Sequence, residues 1–197
     1  TLVGLIVRMS IAPERPEIRR ADGTIDSSAT YYDYRAHFWD NTDLTDERIL
    51  RTPVFQNKFD EYMGKVVPQV PDTINKCADY LIKRMDHGEE LFKFAVHTIT
   101  YKYETSDIMG MDAVFVHMAQ TYYCPKDGGK SRATWMPADK LDKLCERARK
   151  QAPLVIGAQA KNIILPDTTE AQWVNMYKIP DEYVLVIFWD PHCGHCK

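Results

Sequence analysis

The chain has 197 residues, 45% hydrophobic and 27% charged, with a formal net charge of −3, a balance that excludes a disordered chain. The negative charge leaves no electrostatic reason to expect a nucleic-acid partner, which needs a basic face. No apolar run approaches the roughly 20 residues that cross a bilayer, so no transmembrane segment is expected.

Because the chain opens on Thr1, without an initiator methionine or a signal peptide, it is expected to be a processed or engineered piece of something longer. Residues 1–12 are apolar and ambiguous between strand and helix. A short helix is preferred because Leu2, Leu5 and Met9 can share a face. Pro13 and Pro16 end it, and residues 14–28, charged and centred on Asp22-Gly23, read as a linker. Ser27 or Ser28 is placed to cap a helix over 29–40, with Tyr31, Tyr34, Phe38 and Trp39 at three- and four-residue spacing. Residues 45–48 read as a short capped turn. Behind Pro53, the positions Phe55, Phe59, Tyr62, Met63 and Val66 trace an apolar stripe that Pro68 and Pro71 stop.

Asp72 is expected to cap the next helix, which buries Ile74, Cys77, Leu81 and Met85 and ends at His87-Gly88. Residues 89–104 follow with Leu91, Phe94, Ala95, Thr98 and Ile99 inward. Another helix starts at Gly110, with Met111, Val114, Phe115, Met118 and Tyr122 inward. A flexible loop is expected over 125–131, then a last helix over 137–150 carrying Leu141, Leu144, Cys145 and Ala148. Six helical segments joined by short loops predict an antiparallel helical bundle. Beyond Pro153 the pattern turns to β, at 162–167, around Trp173, and most strongly at 183–189.

That last run, Tyr-Val-Leu-Val-Ile-Phe-Trp, has the β-branched and aromatic content of a buried strand, and Asp190-Pro191 ends it. Cys193-Gly194-His195-Cys196 follows directly. A strand, a turn and then C-x-x-C is the order a redox dithiol needs, because a helix beginning at the first cysteine favours its thiolate. Cys193 is then the attacking thiol and Cys196 the resolving one, with His195 and His192 tuning the thiol pKa. A stabilised thiolate points to the oxidising or isomerising side of the redox scale. Zinc remains an alternative, but five consecutive residues cannot surround one tetrahedral centre and no second ligand pair lies nearby; an inert structural pair is the other. No cofactor and no metal are expected.

These residues, with Ala160-Lys161-Asn162-Ile163-Ile164-Leu165-Pro166-Asp167 before them, resemble the opening of an extracytoplasmic bacterial thioredoxin-like thiol–disulfide oxidoreductase. Members of that group have an extra N-terminal hairpin and then a strand ending in Phe-Trp before C-x-x-C. The region before it, including His37-Phe38-Trp39-Asp40-Asn41, Leu50-Arg51-Thr52-Pro53 and the run Ile108 to His117, is similar to an uncharacterised helical domain that precedes the thioredoxin-like one. The resemblance implies later strands and a cis-proline loop that this sequence does not contain, so the chain on its own is expected to be inactive. It also implies a periplasmic or cell-envelope location, protein thiol or disulfide substrates and a redox partner protein.

Other residues read more plainly. His37, His97 and His117 are taken as satisfied core or surface histidines. Asp86-His87 and Glu89-Glu90 are taken as a solvated helix start. Tyr31, Tyr32, Tyr34 and Trp39 at helical spacing are taken as core rather than as a binding groove. Cys77 and Cys145, on apolar stripes, are expected to be inert thiols, and Cys124, beside a loop, the reactive one of the three.

The expected fold is therefore mainly α: a segment and linker over 1–28, an antiparallel helical bundle over 29–152, and over 158–197 the first strands of an incomplete thioredoxin-like α/β domain. The expected function is dithiol–disulfide exchange with protein substrates. The competing reading is a non-enzymatic helical interaction or dimerisation module. An unpaired 183–189 strand would favour a homodimer.

Overall fold

Thr1 supplies the cap that the N-terminal helix needs: its Oγ1 accepts from the Gly4 N–H at 3.2 Å and opens α1 (Leu2–Ser10). The computed structural model describes residues 1–14, 16–124, 129–190, 192 and 194. They fall into two units, Thr1–Gly157 and Ala158–Lys197. α1 is helical as the Leu2, Leu5 and Met9 spacing predicts, although Met9 is its one buried side chain.

The linker turns at Gly23, whose φ of +84° suits a residue without Cβ, and Arg19 and Ile25 form an isolated bridge across the turn. Asp26, not Ser27 or Ser28, caps α2 (Ser27–His37), its carboxylate accepting from the Ala29 N–H at 3.0 Å. Asp46 does the same for a 3₁₀ turn, Glu47–Arg51. Pro53 opens α3 (Pro53–Glu61), and Pro71 opens α4 (Pro71–Met85). Here Val70 holds the cap position, so Asp72 makes no cap bond and lies inside the first turn, where its charge still suits the helix dipole.

Gly88 does not end α4. Its extended backbone makes it the N-cap of α5 (Glu89–Glu104). The Glu47 carboxylate accepts from the Glu90 N–H at 2.8 Å and lies 2.2 Å from where a Gly88 Cβ would stand. That close approach is the reason for glycine here. α5 packs against both α4 and α6 (Asp112–Met118), and α6 also packs on α7 (Ala138–Gln151). Leu91, Ala95, Val96 and Ile99 of α5 meet Ile74, Ala78, Leu81 and Met85 of α4 and Val114, Phe115 and Met118 of α6 in one core. The stripe at Phe55, Phe59, Tyr62, Met63 and Val66 is buried as its spacing predicts.

Two helices widen at their ends. α3 runs into a π turn at Tyr62–Val66 and α6 into another at Ala119–Tyr123. In each a following N–H reaches back five residues, Val67 to Tyr62 O and Cys124 to Ala119 O, both at 2.8 Å. The extra residue rotates the helix face, so Tyr123 rather than Tyr122 is buried, a change that a 3.6-residue period does not anticipate. The carbonyls freed around the first π turn are met by side chains: Tyr31 and Tyr103 donate to Val66 O and Met63 O, and Gln69 to Met63 O and Val67 O.

Cys124 and Cys145 form a disulfide, with Cα atoms 5.6 Å apart. This corrects the expectation of a reactive Cys124 and an inert Cys145 thiol. Cys77 is free and buried, and residues 125–128 of the expected flexible loop lie outside the described residues. Residues 131–135 after them are held by Ser131 donating to Tyr123 O, by Arg132 paired with Asp86, and by Trp135 packed at 5.9 Å on Phe92.

The Ala158–Lys197 unit contains an antiparallel hairpin, β1 (Ile164–Pro166) with β2 (Trp173–Asn175), in the register Ile164 to Asn175, Leu165 to Val174 and Pro166 to Trp173. Its loop is held by Asp167, whose Oδ1 accepts from Thr169 N and Oγ1 and from Ala171 N. Residues 183–189 are not a strand: none is in a ladder, and all seven side chains are exposed. A β-branched, aromatic run makes a strand only when it joins a ladder with a neighbouring strand, and no ladder among the described residues includes it.

Candidate functional site

The predicted redox site lies in the Ala158–Lys197 unit. Cys193, His195 and Cys196 lie outside the described residues. His192 is described: it is exposed, and its backbone N–H donates to Asp190 Oδ1 at 2.8 Å, closing a turn directly after the apolar run. Earlier in the unit, Tyr177 anchors the base of the hairpin. Its N–H donates to Asn175 Oδ1 at 3.0 Å and to Asn162 Oδ1 at 3.2 Å, and its hydroxyl bonds Ala160 O.

In the helical unit the expected histidines have partners. His37 Nδ1 meets Asp40 at 2.6 Å, with Asp33 at 3.7 Å from Nε2; Asp40 first and Asp33 second hold its pKa above the usual imidazole range. His97 stacks on Tyr101. His117 Nε2 lies 2.9 Å from Asp79 Oδ1, which also accepts from the Tyr122 hydroxyl at 2.6 Å. Burial and then the Asp79 carboxylate push the Tyr122 phenol up. This trio joins α4 to α6 and its π turn. Asp86 is paired with Arg132, and Glu89 accepts from Thr134 at 3.3 Å, so the acids near 86–90 do structural work. Trp39 is fully buried and Phe38 nearly so, as the core reading has it, whereas Tyr32 is exposed. Among the described residues no group of three or more His, Cys, Asp and Glu side chains is placed to hold a metal.

One residue was missed. Lys58 is only 8% exposed, with Nζ 5.2 Å from the centre of the Phe38 ring and 5.9 Å from that of Trp39. It donates to Met9 O at 3.4 Å, at the C-terminal end of α1. Burial lowers its pKa, and Glu61 opposes the shift. The signal was in the sequence: position 58 lies three after Phe55 and four before Tyr62, on the buried stripe itself.

Residues 13–144 match the family model for DUF5106, a domain of unknown function. The chain belongs to the DUF5106 family. The match covers the linker and the helices from α2 into α7, and leaves α1 and the Ala158–Lys197 unit outside it. No curated protein matches this DUF5106 chain. Among solved structures it is similar to a thioredoxin-like protein from Bacteroides caccae ATCC 43185, with 15% identity and a TM-score of 0.55 over 94% of this chain. The chain spans 64% of that protein's length. The likeness supports a mainly helical fold joined to part of a thioredoxin-like α/β domain.

Proposed function

We propose that this DUF5106 protein is a thiol–disulfide oxidoreductase whose reacting groups are Cys193 and Cys196. The observation that carries the reading is Cys-Gly-His-Cys directly after an apolar β-type run, in a chain whose fold likeness is to a thioredoxin-like protein. The Cys193 thiolate attacks one sulfur of a protein disulfide. A mixed disulfide forms, and the other substrate sulfur leaves as a thiolate. The Cys196 thiolate then attacks Cys193 Sγ, closing the Cys193–Cys196 disulfide and releasing the second substrate thiol. Two electrons pass to the substrate; the reverse sequence oxidises a substrate dithiol. His195, when protonated beside Cys193, favours the thiolate, and His192 adds to the same field.

An extracytoplasmic setting fits this reading. The Cys124–Cys145 bond belongs to an oxidising compartment, since cytosolic thiols are kept reduced. The exposed 183–189 run is a segment that pairs with another strand, supplied by more of a thioredoxin-like domain or by a second copy of the chain. The test is dithiol–disulfide exchange by the protein that carries this chain, against Cys193→Ser and Cys196→Ser variants. Cys193→Ser is expected to abolish exchange and Cys196→Ser to trap a mixed disulfide with substrate. Unchanged turnover in Cys193→Ser would overturn the reading and leave the helical unit as a binding module.

A further inference from the structure

Lys58 lines a cleft of about 500 Å³ between the end of α1, α2 and α3, within the range of small-molecule sites. Ile11, Pro13, Phe38, Pro53 and Val54 give it apolar walls, and Ser10, Tyr34, Asn57 and Glu61 add polar groups. An ammonium has three N–H donors. The one to Met9 O caps the end of α1, and two are left facing aromatic rings. Among the described residues no carboxylate lies within ion-pair distance of Nζ; Glu61, one turn on, acts on it only through space. A buried cation without a counter-ion is costly, so an acceptor-rich anion with an apolar body matches what these walls lack.

We infer that the α1–α2–α3 cleft is a binding site for a carboxylate carried on an apolar or aromatic group, with Lys58 as its counter-ion. Every residue that lines the site belongs to the Thr1–Gly157 unit. The site is built partly on α1, outside the residues that match the family. Either a free acid or the carboxyl terminus of a peptide presents this chemistry.

The experiment is calorimetric titration of the 197-residue chain with 3-phenylpropionate and with acetyl-alanyl-phenylalanine, each against its neutral amide. Either carboxylate is expected to bind at least about tenfold more tightly than its amide, because only the charged form pairs with the ammonium. Tighter binding of the peptide assigns the site to a chain terminus, and tighter binding of phenylpropionate to a free acid. Lys58→Met, which removes the charge and keeps the stem, is expected to erase the difference. Val54→Trp, which fills the cleft and leaves Lys58 in place, is expected to abolish binding; circular dichroism checks both variants. Equal binding of acid and amide, no binding of either acid, or full binding by a folded Lys58→Met or Val54→Trp variant would each overturn the proposal.

Discussion

Leu91 and Trp39, in the Thr1–Gly157 unit, are 0% exposed, whereas Leu185 and Trp173, in the Ala158–Lys197 unit, are 84% and 72% exposed. The residue types are the same; the backbone is not. A helix satisfies its own N–H and C=O groups, so α4, α5 and α6 need only bring their apolar stripes together. An extended segment has its polar backbone groups and its side chains to cover at once, and both need neighbouring strands. Residues 183–189 have no ladder partner among those described, and the side chains remain in solvent.

The largest expected effect puts that contrast to the test. Leu91→Ala removes buried methyl groups from between α4 and α6 and is expected to cost about 2–5 kcal/mol. Leu185→Ala is expected to stay within about 0.5 kcal/mol, as exposed positions do. Urea unfolding followed by helical circular dichroism reads both. A loss above about 1 kcal/mol for Leu185→Ala would show that the 183–189 run is packed in solution, and the contrast would fall.

Next in size is the disulfide, which lies wholly within the helical unit. It closes a loop between Cys124 and Cys145, 21 residues apart in sequence, and chain-entropy arguments give such a closure about 3 kcal/mol. Residues 131–135 are also anchored by Ser131, Arg132 and Trp135, so the unit is expected to stay folded without the bond. The double variant Cys124→Ser, Cys145→Ser is expected to unfold at lower urea with an unchanged slope. A changed slope would mean that the reduced loop detaches as a separate step.

What was legible in the sequence follows the same division. Positions that repeat every three or four residues gave the buried face of α3 and of α4, because a helix's period is a local property; in α5 they gave Leu91, Ala95 and Ile99, whereas Phe94 and Thr98 are only half-buried and Phe92, Val96, Thr100 and Tyr103 fill the rest of the buried face. Reading failed where geometry departs from that period or depends on distant residues. The π turn at Ala119–Tyr123 moved the buried tyrosine by one position. Gly88 changed from a helix end to a helix start because of Glu47, far off in sequence. The Cys124–Cys145 pairing needed the fold to bring α7 to the end of a π turn. Lys58 was readable from its place on the Phe55–Tyr62 stripe, yet its charge argued for solvent. Of the candidate redox site, the motif was plain, and Asp190 with His192 is the part whose geometry is described.

A third expectation concerns alkaline pH and again separates the units. Burial pushes the phenols of Tyr103 and Tyr123 up to about 12, against about 10 in an unfolded chain. Between those values the folded state keeps protons that the unfolded state has lost. The stabilisation is therefore complete below pH 10 and falls as pH rises towards 12. Tyr183, in the Ala158–Lys197 unit, is exposed, so no buried packing around it is there to be lost in alkali. Tyrosinate absorbance at 295 nm should rise first for exposed rings, and a second rise should coincide with loss of helical signal. Complete ionisation before any helix is lost would contradict the burial of Tyr103 and Tyr123.

The smallest effect belongs to the 3₁₀ turn at Glu47–Arg51. Asp46 accepts from the Arg48 N–H at 3.1 Å, and its carboxylate pairs with the Arg48 guanidinium at 2.5 Å. That partner, more than the backbone bond, holds the Asp46 pKa down to about 2 from a model-compound 3.8. For a depressed carboxylate the contribution is present above the unfolded value and is lost as pH falls from there through the folded one. Acid titration from pH 5 to pH 2 should therefore narrow the gap between the native protein and Asp46→Asn. Asparagine still offers an oxygen to the Arg48 N–H but no charge to the guanidinium. A gap that stays constant across that range would mean that the ion pair, which is solvent-exposed on its arginine side, contributes nothing beyond the cap.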